Sequence, residues 1–173
     1  MLTKNWYILQ GLNMLADSTH PQTDLKLLDW DGQSKTVFYS KYLTDAYSLL
    51  NKVKTNLSTA TSGVLFGTGD TPASLDDYKL AGNVIRNIAA TINRTYSYSE
   101  AQQSLKAIYT ITNNNTGEIT IKEVALQAEF YSTNGVTKGC IIDRTVLDTP
   151  VTTPAGGVGQ VEYTITFNLP TAT

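Results

Sequence analysis

The sequence predicts a mainly β protein, an antiparallel β-sandwich preceded by an N-terminal helical and hairpin segment, and three observations carry that prediction. The first is "VEYTITFNL", in which Val161, Tyr163, Ile165, Phe167 and Leu169 alternate with Glu162, Thr164, Thr166 and Asn168. Strict alternation gives a strand one buried and one wet face, the mark of an antiparallel sheet. The second is the pair of turn clusters "TNNNTGE" and "STNGVTKG" between apolar runs, where Asn and Gly supply left-handed backbone positions. The third is that no helical pattern interrupts the strands after about residue 104, which suits a sandwich or an open barrel.

The elements follow in order. Trp6, Leu9, Leu12 and Leu15, with Ile8 beside them, recur at helical spacing and predict a short amphipathic helix ending near Asp17, Ser18 and His20-Pro21. This helix either belongs to the core or docks on a neighbouring subunit, and the sequence leaves both open. Two short β runs, 25–30 and 35–40, flank Asp31-Gly32, a preferred pair for a type I′ hairpin turn with both central residues at positive φ. Over 41–57, Tyr42, Ala46, Leu49, Leu50, Val53 and Leu57 return to helical steps, predicting a helix laid on the core by one face.

Beyond Gly63 the pattern turns to β. Residues 84–95 carry Ile85, Ile88 and Ile92 with an ambiguous period, and 105–112 alternate cleanly. Over 119–131 the apolar set changes face near Glu123-Val124, which predicts a bulge or break there. Residues 140–147 form a further run, and Thr149-Pro150 and 154–157 punctuate the chain before the closing strand. The expected domains are 1–62, a helix, hairpin and helix segment suited to subunit contact, and 63–173, the antiparallel sandwich.

Charge and cysteine content exclude several function classes. A net charge of −2 with 16% charged residues provides no basic cluster for nucleic acid or an anionic membrane. Cys140 is the single cysteine, so no intrachain disulfide forms and burial alone must hold the fold. The opening "MLTKNWYILQGLNMLADS" is interrupted by Asn5, Gln10, Gly11 and Asn13, too often for a signal peptide or a membrane span; a cytosolically made protein is expected.

One stretch invites a chemical reading: "VLFGTGDTPASLDDYKLAG", with Gly67, Gly69, Pro72, Asp77 and Tyr78. A phosphate loop needs Gly-Lys-Ser/Thr at its close, whereas Gly69 precedes Asp70, and a dinucleotide fingerprint needs a third Gly opening a helix. Asp70, Asp76 and Asp77 lack the spacing of a calcium loop. The expectation is structural: the glycines let the loop cross tightly over the core, Thr71-Pro72 fixes an extended turn, and Ser74 or Asp76 caps a single turn that directs Tyr78 and Leu80 inward.

Other chemistry finds no constellation. His20 is the single histidine and sits beside Pro21, and Cys140 stands among Gly139, Ile141 and Ile142, an environment for an inert thiol. Glu100, Glu118, Glu123, Glu129 and Glu162 read as turn or wet-face carboxylates, so no glycosidase pair is expected. No catalytic, cofactor-binding or metal-ligating residue is assigned, no cofactor is expected, and the protein is read as no enzyme. Candidate partner contacts are Trp6 and Tyr7 on the first helix and Tyr96 and Tyr98 in "TYSYSE".

With those residues in view, "MLTKNWY", "GVLFGTGDTPASLDDYKLAG" and "RTVLDTPVTTPAGGVGQVEYTITF" together resemble small structural proteins encoded in the virion gene blocks of tailed bacteriophages. The resemblance covers most of the chain from residue 63 onward and the extreme N-terminus. It implies a non-enzymatic particle component on capsid or tail, made in the bacterial host cytoplasm, located in the virion, and partnered by other virion proteins and copies of itself. The competing expectation is a carbohydrate- or receptor-binding module of a tail or fibre, with Tyr96 and Tyr98 or Tyr131 as its contact residues.

Overall fold

The computed structural model describes residues 1–8, 26–39, 53–54, 62–99, 102–132 and 137–168. The protein is mainly β with antiparallel sheets. The strands are β1 (Lys26–Leu28), β2 (Ser34–Tyr39), β3 (Val53–Lys54), β4 (Gly63–Gly67), β5 (Ile88–Tyr98), β6 (Gln102–Asn113), β7 (Ile119–Ser132), β8 (Thr137–Thr153) and β9 (Val158–Asn168). One sheet runs β1-β2-β7-β4-β3, with β8 also pairing β7, and a second runs β5-β6-β9. Every registered pair is antiparallel except β3 with β4. The chain divides into two compact units, 1–86 with 121–150 and 87–120 with 151–173. These interleave along the sequence.

The first unit is centred on β4, whose five residues are all buried and which pairs with β7 from Gly63↔Gln127 to Gly67↔Glu123 without a shift. Leu65, Leu80, Ala125 and Ile141 form a core cluster against which Trp30 and Val84 pack. The bulge expected at Glu123-Val124 is therefore absent from this pairing. The apolar residues change face there because both faces of the strand are buried across 123–130, and a strand covered twice need not alternate. The registered irregularity lies elsewhere, between Val37 and Tyr39 where β2 meets β7.

Residues 1–3 lie along β8: Leu2 bridges Asp143, the Thr3 amide donates to the Ile142 carbonyl at 3.0 Å, and the Arg144 amide donates to the Met1 carbonyl at 3.0 Å. The Met1 ammonium lies 3.0 Å from the Asp143 carboxylate. Asn5 then joins two strands, donating to the carbonyls of Leu28 and Ile141 and accepting from the Leu28 amide. Only the beginning of the expected first helix is described, where residues 4–8 make a helical turn. Val53 and Lys54, the described part of the helix expected over 41–57, instead extend beside Val64 and Leu65 as a parallel strand; β4 supplies their backbone partners. The remaining residues of that expected helix, His20, the Asn134-Gly135 turn and Leu169 lie outside the described residues.

The hairpin at Asp31-Gly32 forms with a wider connection than expected. Leu28 pairs Ser34, leaving five loop residues, and Gly32 at φ 74° is the loop's positive-φ residue. Asp29 organises it in place of a two-residue turn: its Oδ1 accepts from the amides of Asp31 and Gln33 at 3.1 and 2.8 Å, the local bonding that makes Asp a turn former.

In the second unit the alternation read from the sequence sets the faces. Tyr163 lies opposite Ala107, Val161 opposite Tyr109 and Ile165 opposite Leu105; Val161, Tyr163, Ile165, Ala107, Tyr109 and Ile111 are buried while Glu162, Thr164 and Thr166 are exposed. Strand β8 continues through Thr149-Pro150, which the sequence suggested as a break; Pro150 is exposed, a position where a missing amide donor is tolerated. Buried Asn113 fastens the two turns of this unit, its Nδ2 lying 2.9–3.0 Å from the carbonyls of Gly117, Thr153 and Pro154 and its Oδ1 accepting from the Asn115 amide.

Candidate functional site

The glycine-rich loop between β4 and β5 is held from below by one buried acid and one buried base. Glu123 on β7 has no exposed surface. Its Oε1 accepts from the amides of Gly69 and Gly82, both at 2.8 Å, and its Oε2 accepts from the Ala81 amide at 3.0 Å. The Arg144 guanidinium on β8 donates through Nε to Glu123 Oε2 at 2.7 Å. It then reaches the near side of the loop, donating to Asp77 Oδ2 at 2.9 Å, to the Thr71 carbonyl at 2.7 Å and to the Pro72 carbonyl at 3.4 Å.

Such an ion pair survives burial only because nearly every remaining lone pair and proton finds a partner. Burial pulls the Arg144 pKa down, but hydrogen bonds and charge attraction from Asp77 and Glu123 outweigh it and raise the value. The amides of Gly69, Ala81 and Gly82 face an anion, as amides do in a phosphate-binding loop, but the anion is the protein's own carboxylate.

The loop's close approach explains its glycines. A Cβ on Gly67 would lie 2.6 Å from Glu123 Oε1, and one on Gly82 would overlap the Gly69 nitrogen and lie 2.6 Å from Thr68 Oγ1. Further along, Ser74 and Asp77 close a turn: the Ser74 amide donates to Asp77 Oδ2 and the Asp76 amide to Ser74 Oγ. Leu80 reaches the core at 2% exposure. Tyr78 packs its ring against Gly32, where an added Cβ would meet the ring at 3.1 Å, and carries the Lys79 ammonium 5.6 Å from the ring centroid.

The structure thus gathers Gly67, Gly69, Pro72 and Asp77 around Glu123 and Arg144, with Tyr78 further along the loop. Sequence reasoning missed the two residues at the centre. Glu123, which the sequence pattern places on a wet strand face, is buried, as is Glu129; Glu118 and Glu162 are exposed, as expected. Glu123's signal was present as the apparent change of face in "IKEVALQAEF", where a charged residue stands between apolar faces. Arg144, following "CIID", carried no comparable mark. Among the described residues no group of three or more His, Cys, Asp or Glu could hold a metal ion.

Beside the loop, within the same unit, opens a cleft of about 680 Å3 bordered by Trp30, Thr68, Lys79, Asn83, Val84, Arg86 and residues 80–82. Of the expected partner contacts, Trp6 is half-buried, whereas Tyr7, Tyr96 and Tyr98 are 59%, 59% and 63% exposed. Cys140 is buried in the first unit, and burial, reinforced by the negative charge of Asp29, pushes its thiol pKa well up. Its contribution to stability is therefore full below the ordinary thiol value of 9.0 and is lost as pH rises above it. Ellman's reagent at pH 8 is expected to detect no thiol in the native protein and one after unfolding in urea; rapid reaction of the native chain contradicts this.

Comparison of the chain with protein-family models, with curated proteins and with solved structures finds no match.

Proposed function

We propose that the chain is a non-enzymatic structural component of a tailed-phage virion, an antiparallel β-sandwich protein that assembles with copies of itself and with other virion proteins. The observation that carries this reading is the outer edge of β5. In the sheet β5-β6-β9 this 11-residue strand is terminal, and no described residue pairs along its free side. An open edge exposes a row of amides and carbonyls that pair with another chain unless Pro, charge or brevity blocks them. The strand IAATINRTYSY has no proline and a single charge, Arg94, and its last residues include the exposed Tyr96 and Tyr98.

A second copy's β5, added antiparallel about a two-fold axis, continues the sheet and covers both tyrosines, a self-complementary contact of the kind symmetric assemblies use. Aromatic residues supply much of the energy in such contacts. Light scattering after size exclusion tests it: the wild-type chain is expected to self-associate and Tyr96→Ser/Tyr98→Ser to run as a monomer with its circular dichroism unchanged. Immunolabelling of purified particles is expected to find the protein there. A strictly monomeric chain that is absent from virions removes the proposal.

A further inference from the structure

We propose that the second copy joins β5 in one register only, with Asn93 opposite Asn93 of the second copy, so that the sheet continues as β9-β6-β5-β5-β6-β9 across a two-fold axis. This rests on the assembly reading and adds to it which residues meet. Both ends of the edge are fixed by the chain itself. Asn87, just before Ile88, has φ 54°, a left-handed conformation that ends an extended strand. After Tyr98 the chain turns into β6, the Ser99 and Gln102 amides each donating to the other's carbonyl. The edge open to a second copy is therefore Ile88–Tyr98.

Face and charge then select the register. Along β5, Ile88, Ala90, Ile92 and Arg94 are buried or half-buried, whereas Ala89, Thr91, Asn93 and Thr95 are exposed. Side chains alternate along a strand, so Tyr96 and Tyr98 share the face of Ile88, Ala90, Ile92 and Arg94. A two-fold axis perpendicular to the sheet keeps that face continuous, which sets even-numbered residues opposite even-numbered ones and one residue opposite its own copy at the axis. With Asn93 there, the edge pairs over its full length. Moving the axis to Arg94 brings the strand's single charge opposite itself, a destabilising like-charge pair. Moving it to Ile92 carries Tyr98 past Ile88, where Asn87 has already turned the chain. Larger shifts pair still less of the edge.

In this register each side chain meets a compatible one. The exposed Tyr96 of each copy lies opposite Ala90 of the other with Ile92 diagonal to it, and the exposed Tyr98 lies opposite Ile88. Aromatic rings set against aliphatic residues in this way stabilise neighbouring strands. Arg94 opposes Ile92, along which its aliphatic stem can lie. On the wet face Thr91 opposes Thr95, a pair whose hydroxyls can bond. The two Asn93 amides at the axis each hold donors and an acceptor, so they can bond reciprocally. The two-fold repeats every contact, and both tyrosines of both copies are covered at once.

Single-cysteine variants read the register. Residues directly opposite in an antiparallel pair have Cα atoms about 4.5–5.5 Å apart, whereas in this register Thr95 and its copy lie about 13 Å apart along the strand, at roughly 3.3 Å per residue; the same holds for Thr91. The native Cys140 is buried and stays out of the reaction. Asn93→Cys, Thr91→Cys and Thr95→Cys, all at exposed positions, are treated with the thiol-bridging reagent dibromobimane and scored as covalent dimer on denaturing gels, with light scattering and circular dichroism on the same samples. Asn93→Cys is expected to bridge at least about tenfold faster than either threonine variant alone, because only its thiols lie opposite each other. A mixture of the Thr91→Cys and Thr95→Cys proteins is expected to bridge as readily as Asn93→Cys, and adding Tyr96→Ser/Tyr98→Ser to Asn93→Cys to abolish bridging. Should Asn93→Cys no longer associate, the mixture decides. Associated chains in which Thr91→Cys or Thr95→Cys alone bridges as fast as Asn93→Cys, or in which neither Asn93→Cys nor the mixture bridges, overturn the register and leave the assembly reading standing. A wild-type chain that is monomeric overturns both.

Discussion

Replacing Arg144 by methionine is expected to destabilise the protein by about 3–5 kcal/mol, the cost of stranding one member of a buried ion pair. Arg144 and Glu123 are 1% and 0% exposed, and the methionine fills the aliphatic volume of the arginine while removing every donor. Glu123 would keep its three backbone amides but lose the guanidinium that balances it. Asp77 and the carbonyls of Thr71 and Pro72 would lose their donors as well. At about 2–4 °C per kcal/mol for a chain of this size, the thermal midpoint falls by roughly 6–20 °C.

Glu123→Gln is expected to be comparably damaging, because its amide group turns a donor toward Arg144 or toward the loop amides. The double variant Glu123→Gln/Arg144→Met is expected to cost clearly less than the sum of the singles, since each single strands what the other removes. Urea titrations of the four proteins measure this. Costs for Arg144→Met below about 1 kcal/mol, the level of an exposed pair, show that the guanidinium does not hold the loop.

Strand content was largely legible because half-buried strands write their environment into alternate residues. Val161, Tyr163 and Ile165 are buried in a three-stranded sheet whose opposite face carries Glu162, Thr164 and Thr166, as their spacing indicated. The same rule misled at β7. A strand buried on both faces has no period to read, so Glu123 registered as a defect in the pattern rather than as the group around which the loop is built. Val53 illustrates a different limit: helical spacing over 41–57 is a local signal, whereas pairing beside β4 depends on a partner that local spacing does not specify.

The candidate site was legible in its glycines and opaque in its charges. Gly67, Gly69 and Asp77 are close in sequence and could be suspected together, but Glu123 lies 54 residues from Gly69 and Arg144 lies 67 from Asp77. Only the pairing of β7 with β4 and with β8 brings the acid and the base beneath the loop. Likewise the cleft joins Trp30 of the hairpin to Lys79 and Arg86 through tertiary packing that no spacing announces.

Gly82→Ala is expected to cost about 3 kcal/mol or more, whereas Gly117→Ala is neutral or slightly stabilising. At Gly82 the added methyl meets main-chain atoms of Thr68 and Gly69, which cannot rotate away as a side chain can. Relief requires the two arms of the loop to separate, and separation pulls the Gly69 and Gly82 amides off Glu123. Overpacking of this kind costs about 1–3 kcal/mol, and each buried group left without its bond adds roughly 1–3 more. Gly69→Ala presses on the same contact from the other side, overlapping the Gly82 nitrogen, so its cost is similar and the two do not add. Gly117 has nothing within 4 Å of its added Cβ, so alanine there mainly removes freedom from the unfolded chain, worth about 0.4–1 kcal/mol. Gly156 is equally open but sits at φ 69°, and its alanine variant is expected to lose about 1–2 kcal/mol from backbone strain alone. Urea unfolding of the variants, with amide exchange at Gly69 in the Gly82→Ala protein, resolves the three causes. A Gly82→Ala protein as stable as Gly117→Ala, with the Gly69 amide still protected, contradicts the close crossing of the loop over Glu123.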